Sequence, residues 1–111
     1  MSIEAKVNAN KLHDQARKDV EDFWKNASID SALIINANSQ PVTFYVYNYI
    51  DSIYAISAMK TQVAPSKNGK VAASGAFFKV HPNDKADQQF LVAPGKAYRY
   101  KGPGDVEEVV Q

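Results

Sequence analysis

The sequence contains no cysteine, and this absence removes several classes of protein at once. A disulfide-stabilised scaffold, a thiolate zinc site, an iron–sulfur cluster and a cysteine nucleophile all require that residue. The chain also has no surplus of charge of one sign, because 13 lysines and arginines are balanced by 12 aspartates and glutamates. Binding to a phosphate backbone depends on positive potential, so we expect no nucleic-acid partner.

Long hydrophobic runs are missing as well. The first twenty residues carry charges every few positions, where a signal peptide needs an unbroken apolar stretch. The longest apolar region, residues 42–59, is interrupted by polar residues and cannot cross a bilayer as a helix. We therefore expect a cytoplasmic protein, or one exported without a classical signal peptide.

What remains is the composition of an ordinary globular protein, with 45% hydrophobic residues in a chain of 111. This length predicts a single domain with one core over residues 1–111. Residues 2–27 are predicted to form one amphipathic helix, with an apolar stripe that we expect to pack on the rest of the domain. The stripe consists of Leu12, Ala16, Val20, Phe23, Trp24 and Ala27.

From residue 31 the hydrophobic period changes to two, and β-branched and aromatic residues replace the helix formers. The fold class is therefore mainly β with one N-terminal helix. Residues 31–111 are predicted to form an antiparallel β-sandwich or small barrel of six to seven strands. Asn68-Gly69 predicts a tight hairpin turn. The strand at 106–110 is expected to be an exposed edge.

Few residues in this sequence suggest catalysis, so we expect a non-enzymatic protein without catalytic residues. The two histidines are His13 in the predicted helix and His81 at the end of a strand. His81 is followed by Asp84 and Asp87, the single cluster of candidate metal ligands, but its spacing lacks the bidentate glutamate of a calcium loop. A solvated polar turn is favoured there, and we expect no metal and no cofactor.

Tyrosine is the unusual feature. Tyr45, Tyr47 and Tyr49 alternate along one predicted strand, and Tyr98 and Tyr100 alternate along another. Tyrosine gives rigid apolar area with a hydroxyl group, so these five residues are predicted to form a ligand-binding surface. The same pattern fits a strand whose tyrosine side is covered by the helix, and the two interpretations have equal weight.

Two stretches resemble a known class of proteins. The segments Val-Ala-Ala-Ser-Gly-Ala-Phe-Phe at 71–78 and Pro-Gly-Lys-Ala-Tyr-Arg-Tyr-Lys-Gly at 94–102 are similar to the turns and strands of small membrane-binding sandwiches such as actinoporins and aegerolysins. The similarity covers residues 36–104 and assigns no ligand residue. In actinoporins an amphipathic N-terminal helix precedes the sandwich and inserts in lipid. The resemblance therefore implies a binding sandwich.

Two functions follow from these features. The first is a non-enzymatic recognition or assembly module that presents a tyrosine-rich β face to a protein or glycan partner. Such a sandwich has strand edges and a face that a second copy can cover, so we also expect a homo-oligomer. The alternative is a membrane-active, lipid-binding protein that uses its N-terminal helix.

Overall fold

The computed structural model describes residues 3–50, 53–72, 78–83 and 89–111, and within them the chain is mainly β with one α-helix. The helix lies near the N-terminus, as predicted. No helix in these residues is long and apolar enough to span a bilayer. In chain order the elements are β1 (Lys6–Asn8), a 3₁₀ turn (Ala9–Lys11), α1 (Asp14–Lys25), β2 (Ser31–Asn36), β3 (Val42–Ile50), β4 (Ile53–Val63), β5 (Asn68–Ala72), β6 (Phe78–Pro82), β7 (Phe90–Val92), β8 (Ala97–Gly102) and β9 (Asp105–Val110).

These strands form two sheets. The first sheet has the strand order β1-β9-β8-β2-β5, and the second sheet has the order β4-β3-β6-β7. The second sheet is antiparallel, whereas the first is mixed, because β1 runs parallel to β9 and β2 runs parallel to β8. Along the chain, β3 and β4 lie between β2 and β5, and β6 and β7 lie between β5 and β8. These four intervening strands all belong to the second sheet. Strands of the first sheet are therefore joined by long crossovers, which permit parallel pairing.

The predicted sheet architecture was wrong in two respects. The described residues contain nine strands instead of six or seven, and the first sheet is not purely antiparallel. Of the two predicted alternatives, the barrel does not close in these residues. The physical reason is that turn signals show where a strand ends but not which strand it pairs with. Strand partners here are set by hydrophobic burial between elements that are distant in sequence.

One hydrophobic core contains buried residues from both sheets. β3 contributes Val42, Phe44 and Val46, which alternate with more exposed residues as expected for a strand that buries one face. The remaining members of this inter-sheet core are Ala32, Ile34, Val63, Val71, Val80, Phe90, Val92, Tyr98, Tyr100 and Val106.

A second core lies between α1 and the opposite face of the first sheet, so the prediction of one core was wrong. α1 contributes Ala16, Val20 and Phe23. The other members of this helix core are Val7, Ala9, Leu12, Leu33, Ile35, Ala97 and Val109, and Trp24 packs against it while partly exposed. The predicted packing of Phe23 and Trp24 on the β domain is confirmed.

The predicted helix at 2–27 begins too early, because α1 starts only at Asp14. His13 has extended backbone angles, and its imidazole Nδ1 accepts a hydrogen bond from the backbone N–H of Ala16 at 3.3 Å. This side chain caps the helix, as expected where the first N–H groups of a helix lack partners. Val7 and Leu12 do reach the helix core, but through β1 and the 3₁₀ turn. The apolar pattern therefore predicted the burial of Val7 and Leu12 correctly and their backbone conformation incorrectly. Ala27, at the end of the predicted helix, lies beyond α1 and is exposed.

Because the helix was predicted to begin at residue 2, no strand was expected at residues 6–8, and the strand at 106–110 was wrongly predicted to be an exposed edge. β9 is not an edge strand, because β1 pairs with it on one side and β8 on the other. Residues 6–8, which the helical pattern included, supply the covering strand, and Lys6 is level with Glu108. The first sheet therefore ends at the three-residue β1, and short edge strands limit uncontrolled pairing.

The Asn68-Gly69 hairpin turn was also wrong. Both residues lie inside β5, where they pair with Ile35 and Ile34 of β2. The chain turns at Pro65 and Ser66 instead, and Ser66 takes a left-handed backbone conformation with φ 62°. A Cβ atom on Gly69 would lie 2.9 Å from Val63 Cγ2, so this glycine permits the close approach of β5 to β4.

Candidate binding surfaces

Two of the predicted binding tyrosines belong to the inter-sheet core. Tyr98 and Tyr100 are each only 3% exposed, and the ring of Tyr100 meets Phe44 edge to face with 5.4 Å between centroids. Burial raises the pKa of both phenols, and that of Tyr98 reaches about 12. Their prediction as an exposed ligand surface was therefore wrong. The covering element is the second sheet rather than the helix, which lies on the other face of β8.

The remaining three predicted residues lie on β3 in the second sheet. Tyr45 alternates with the buried Phe44 and Val46, so it points away from the inter-sheet core, and it is partly exposed. In the backbone register, Tyr47 is level with Ile56 and Tyr49 is level with Tyr54. The side chains of Tyr47 and Tyr49 lie outside the described part of the structure. Tyr98 and Tyr100 thus lie on the inner face of the first sheet, whereas Tyr45 lies on the outer face of the second sheet. The tyrosine side chains that the structure describes therefore form no single cluster.

The outer face of the second sheet, which we call the Tyr45 face, is defined by Thr43, Tyr45, Lys60 and Gln62. Tyr45 is level with Lys60 across the β3–β4 pair, and Thr43 is level with Gln62. Residues directly opposite one another on paired strands share a face of the sheet. Lys60 and Gln62 are exposed, and Thr43 and Tyr45 are partly exposed.

Neither histidine forms part of a metal site in the described residues. His13 caps α1, and His81 lies in β6 level with Tyr45, while Asp84 and Asp87 lie outside the described residues. No group of three histidine, cysteine, aspartate or glutamate residues converges in the part of the chain that the structure describes.

Sequence reasoning missed a cross-strand charge cluster on β8 and β9. Arg99 Nη2 lies 3.0 Å from Glu107 Oε1, and Lys101 Nζ lies 3.3 Å from the same oxygen. Partial burial of Glu107 favours its neutral form, but the hydrogen bonds from Arg99 and Lys101 prevail and lower its pKa. The alternation of cations at 99 and 101 against acids at 105 and 107 was the signal that could have revealed it.

Arg99 also lines a cavity of about 150 Å³ beside the start of α1, together with His13 and Ser66. Its Nε atom is buried and has no hydrogen-bond partner in the described structure. Glu107 already neutralises the guanidinium, so the cavity lacks the net positive charge that would favour an anion. The cluster therefore serves to hold β8 and β9 together.

Comparison with known proteins adds no further assignment. No family model, curated protein or solved structure matches this chain. The resemblance to actinoporins and aegerolysins stays a prediction, and the function has to be inferred from the geometry described above.

Proposed function

We propose that the protein is a non-enzymatic recognition or assembly module, a β-sandwich of the two sheets that binds a protein partner through the Tyr45 face. The observation that carries this proposal is a difference in covering between the first sheet and the four described residues of the Tyr45 face. α1 packs on the outer face of the first sheet, whereas Tyr45 is partly exposed on the second. Tyrosine is enriched where proteins bind one another, because it combines apolar area with a hydroxyl group.

The partner that best fits this face is a second copy of the chain. β4, β3, β6 and β7 have eleven, nine, five and three residues, so at about 3.3 Å per residue and about 4.8 Å between strands the sheet has a footprint of roughly 450 Å². A specific interface buries about 800 Å² of accessible surface on each partner, and the projecting side chains raise the accessible surface of this face above its footprint. The net charge of only +1 gives two copies little mutual repulsion.

The symmetry of such a dimer places Tyr45 at its centre. Tyr45 lies on β3, between β4 and β6, so a two-fold axis near it brings the same residue of both copies together. Central aromatic residues dominate interface free energy, whereas exposed charges at the rim contribute little. Lys60, level with Tyr45 and exposed, belongs to that rim.

The experiment measures mass by light scattering on a size-exclusion peak for the wild type and for Tyr45→Asp. We expect a dimer at micromolar concentration and a monomer for Tyr45→Asp that keeps the circular dichroism spectrum of the wild type. Gln15→Asp, an exposed change on α1, is the matched control and should stay dimeric. A monomeric wild type contradicts the proposal, and so does loss of the folded circular dichroism spectrum in Tyr45→Asp, because Tyr45 would then be a core residue.

Lipid binding is the competing outcome. The buried residues of α1, which are Ala16, Val20 and Phe23, are at most 4% exposed, so their insertion into a membrane would require the helix to leave the first sheet. Sedimentation with neutral and anionic liposomes separates the two functions. Protein that pellets with protein-free lipid favours the membrane-active alternative and argues against the assembly module.

A further inference from the structure

A surface groove runs beside the C-terminal half of α1. It consists of two cavities of about 410 Å³ and about 240 Å³, and both are lined by Glu21, Trp24 and Gln111. Asp22 and Lys25 line the larger cavity, whereas Asn8, Ala9 and Asn10 line the smaller one. Since they share three residues, the cavities form one elongated depression, which we call the Trp24 groove. Its size lies within the range of small-molecule sites.

Trp24 gives this groove a fixed aromatic wall. Its side chain packs against the helix core and is partly exposed, so part of the indole is anchored while part borders the groove. It is the single tryptophan of the chain. An anchored aromatic ring loses little conformational entropy when a ligand packs on it, which favours binding to a flat apolar surface.

The lining of the groove carries charges of both signs, from Glu21, Asp22 and Lys25. Glu21 Oε1 lies 3.6 Å from Arg17 Nε, and Lys25 borders the same cavity as Asp22. A cationic ligand would therefore meet a local ammonium group, and an anionic ligand would meet two carboxylates. A neutral ligand is repelled neither by the ammonium group nor by the carboxylates.

We propose that the Trp24 groove binds a neutral saccharide of one or two pyranose units. The CH face of a pyranose ring is apolar and flat, so it fits the indole of Trp24. The sugar hydroxyls both donate and accept hydrogen bonds, as do the amides of Asn8 and Asn10, while the carboxylate of Asp22 accepts them. This site lies beside α1 on the first sheet and is independent of the Tyr45 face.

Tryptophan fluorescence gives a direct test, because all of the signal comes from Trp24. The full chain is titrated with glucose, galactose, mannose, N-acetylglucosamine, maltose, cellobiose and lactose. We expect a saturable change in emission with at least one of these sugars. Asp22→Ala should weaken its binding by about tenfold, the effect of one lost charge-assisted hydrogen bond. Asp30→Ala, which changes an exposed aspartate outside the groove, should leave the affinity unchanged.

A second variant guards against a folding artefact. Asn10→Ala keeps the backbone N–H that donates to Asn8 Oδ1 and removes only an exposed side chain from the groove. It should also weaken binding while circular dichroism stays unchanged. The absence of a saturable change with every sugar overturns the proposal, as does equal binding by Asp22→Ala, Asn10→Ala and the wild type. Saturation by choline or lysine instead of a sugar would also overturn it, because the site would then select cations.

Discussion

The backbone N–H of Ala93 donates a hydrogen bond of 2.8 Å to the phenol oxygen of Tyr98. Tyr98 lies on β8 in the first sheet, and Ala93 directly follows β7 in the second, so this bond joins the two sheets across the inter-sheet core. The bond is buried. A phenol at this position thus satisfies a backbone donor that would otherwise lie in an apolar environment.

Tyr98→Phe should destabilise the protein by about 1–3 kcal/mol, because it leaves the Ala93 N–H buried without a partner. Urea unfolding followed by circular dichroism measures the change. The control is Tyr100→Phe, which keeps the ring contact with Phe44 and does not involve the Ala93 bond. Equal losses of stability in the two variants would show that the hydrogen bond is not the cause.

Stability should also fall at alkaline pH. Burial raises the pKa of Tyr98 from 10.0 to about 12, although the hydrogen bond from Ala93 acts in the opposite direction. The unfolded chain loses this proton near pH 10 and the folded chain keeps it, so stability is complete below pH 10 and falls as the pH rises towards 12. The loss is on the order of 2 kcal/mol for this residue. Urea unfolding at pH 8 and pH 11 should show the decline, and it should be smaller in Tyr98→Phe.

The sequence predicted the local elements where one physical signal dominates. The strand that carries Tyr45, Tyr47 and Tyr49 was predicted, because Val42, Phe44 and Val46 alternate with more polar positions. The C-terminal part of the helix was also predicted, because Val20 and Phe23 follow a helical period. Both patterns depend on a single buried face, which period alone identifies.

The candidate sites could not be predicted from hydrophobic periodicity alone. Alternation placed Tyr98 and Tyr100 on one face of β8, but only strand pairing decides whether that face is covered by the second sheet. The Trp24 groove is formed by α1 together with residues 8–10, which lie in β1 and the 3₁₀ turn although they were predicted to be helical. The apolar pattern alone did not show this difference. Binding sites formed by several elements therefore require the tertiary arrangement.

Gly69→Ala should destabilise the protein by about 1–3 kcal/mol, the usual cost of forcing extra volume into a packed site. The new methyl group would lie 2.9 Å from Val63 Cγ2 and 3.1 Å from Thr61 Cγ2, where β4 and β5 approach each other. Gly102→Ala is the matched control, since its nearest atom, Asn38 Nδ2, is 3.9 Å away. Thermal unfolding of both variants tests this. A Gly69→Ala protein as stable as Gly102→Ala would show that the two sheets can separate at little cost.

A second link between the sheets is the amide of Asn36, which has no exposed surface. Its Nδ2 group donates to the carbonyl oxygens of Gln40 and Val63, each at 2.9 Å, and its Oδ1 accepts from the N–H of Asn38. Asn36 lies at the end of β2 and Val63 at the end of β4. Both donors and the acceptor of this side chain are therefore used to join the first sheet to the second.

Asn36→Asp keeps the size of the side chain and should destabilise the protein by about 3 kcal/mol or more at pH 7. A carboxylate cannot donate to the two carbonyl oxygens, and it places an unpaired charge in a buried position. Protonation restores one donor, so the loss should shrink as the pH falls towards about 4, where the unfolded chain also takes up the proton. Asn38→Asp is the control, because Asn38 Oδ1 only accepts, from the N–H of Gln40, and a carboxylate preserves that role. Urea unfolding of both variants at pH 7 and pH 4 measures these losses of stability. A loss in Asn36→Asp that does not change with pH would show that the charge is solvated and that the amide does not hold the sheets together.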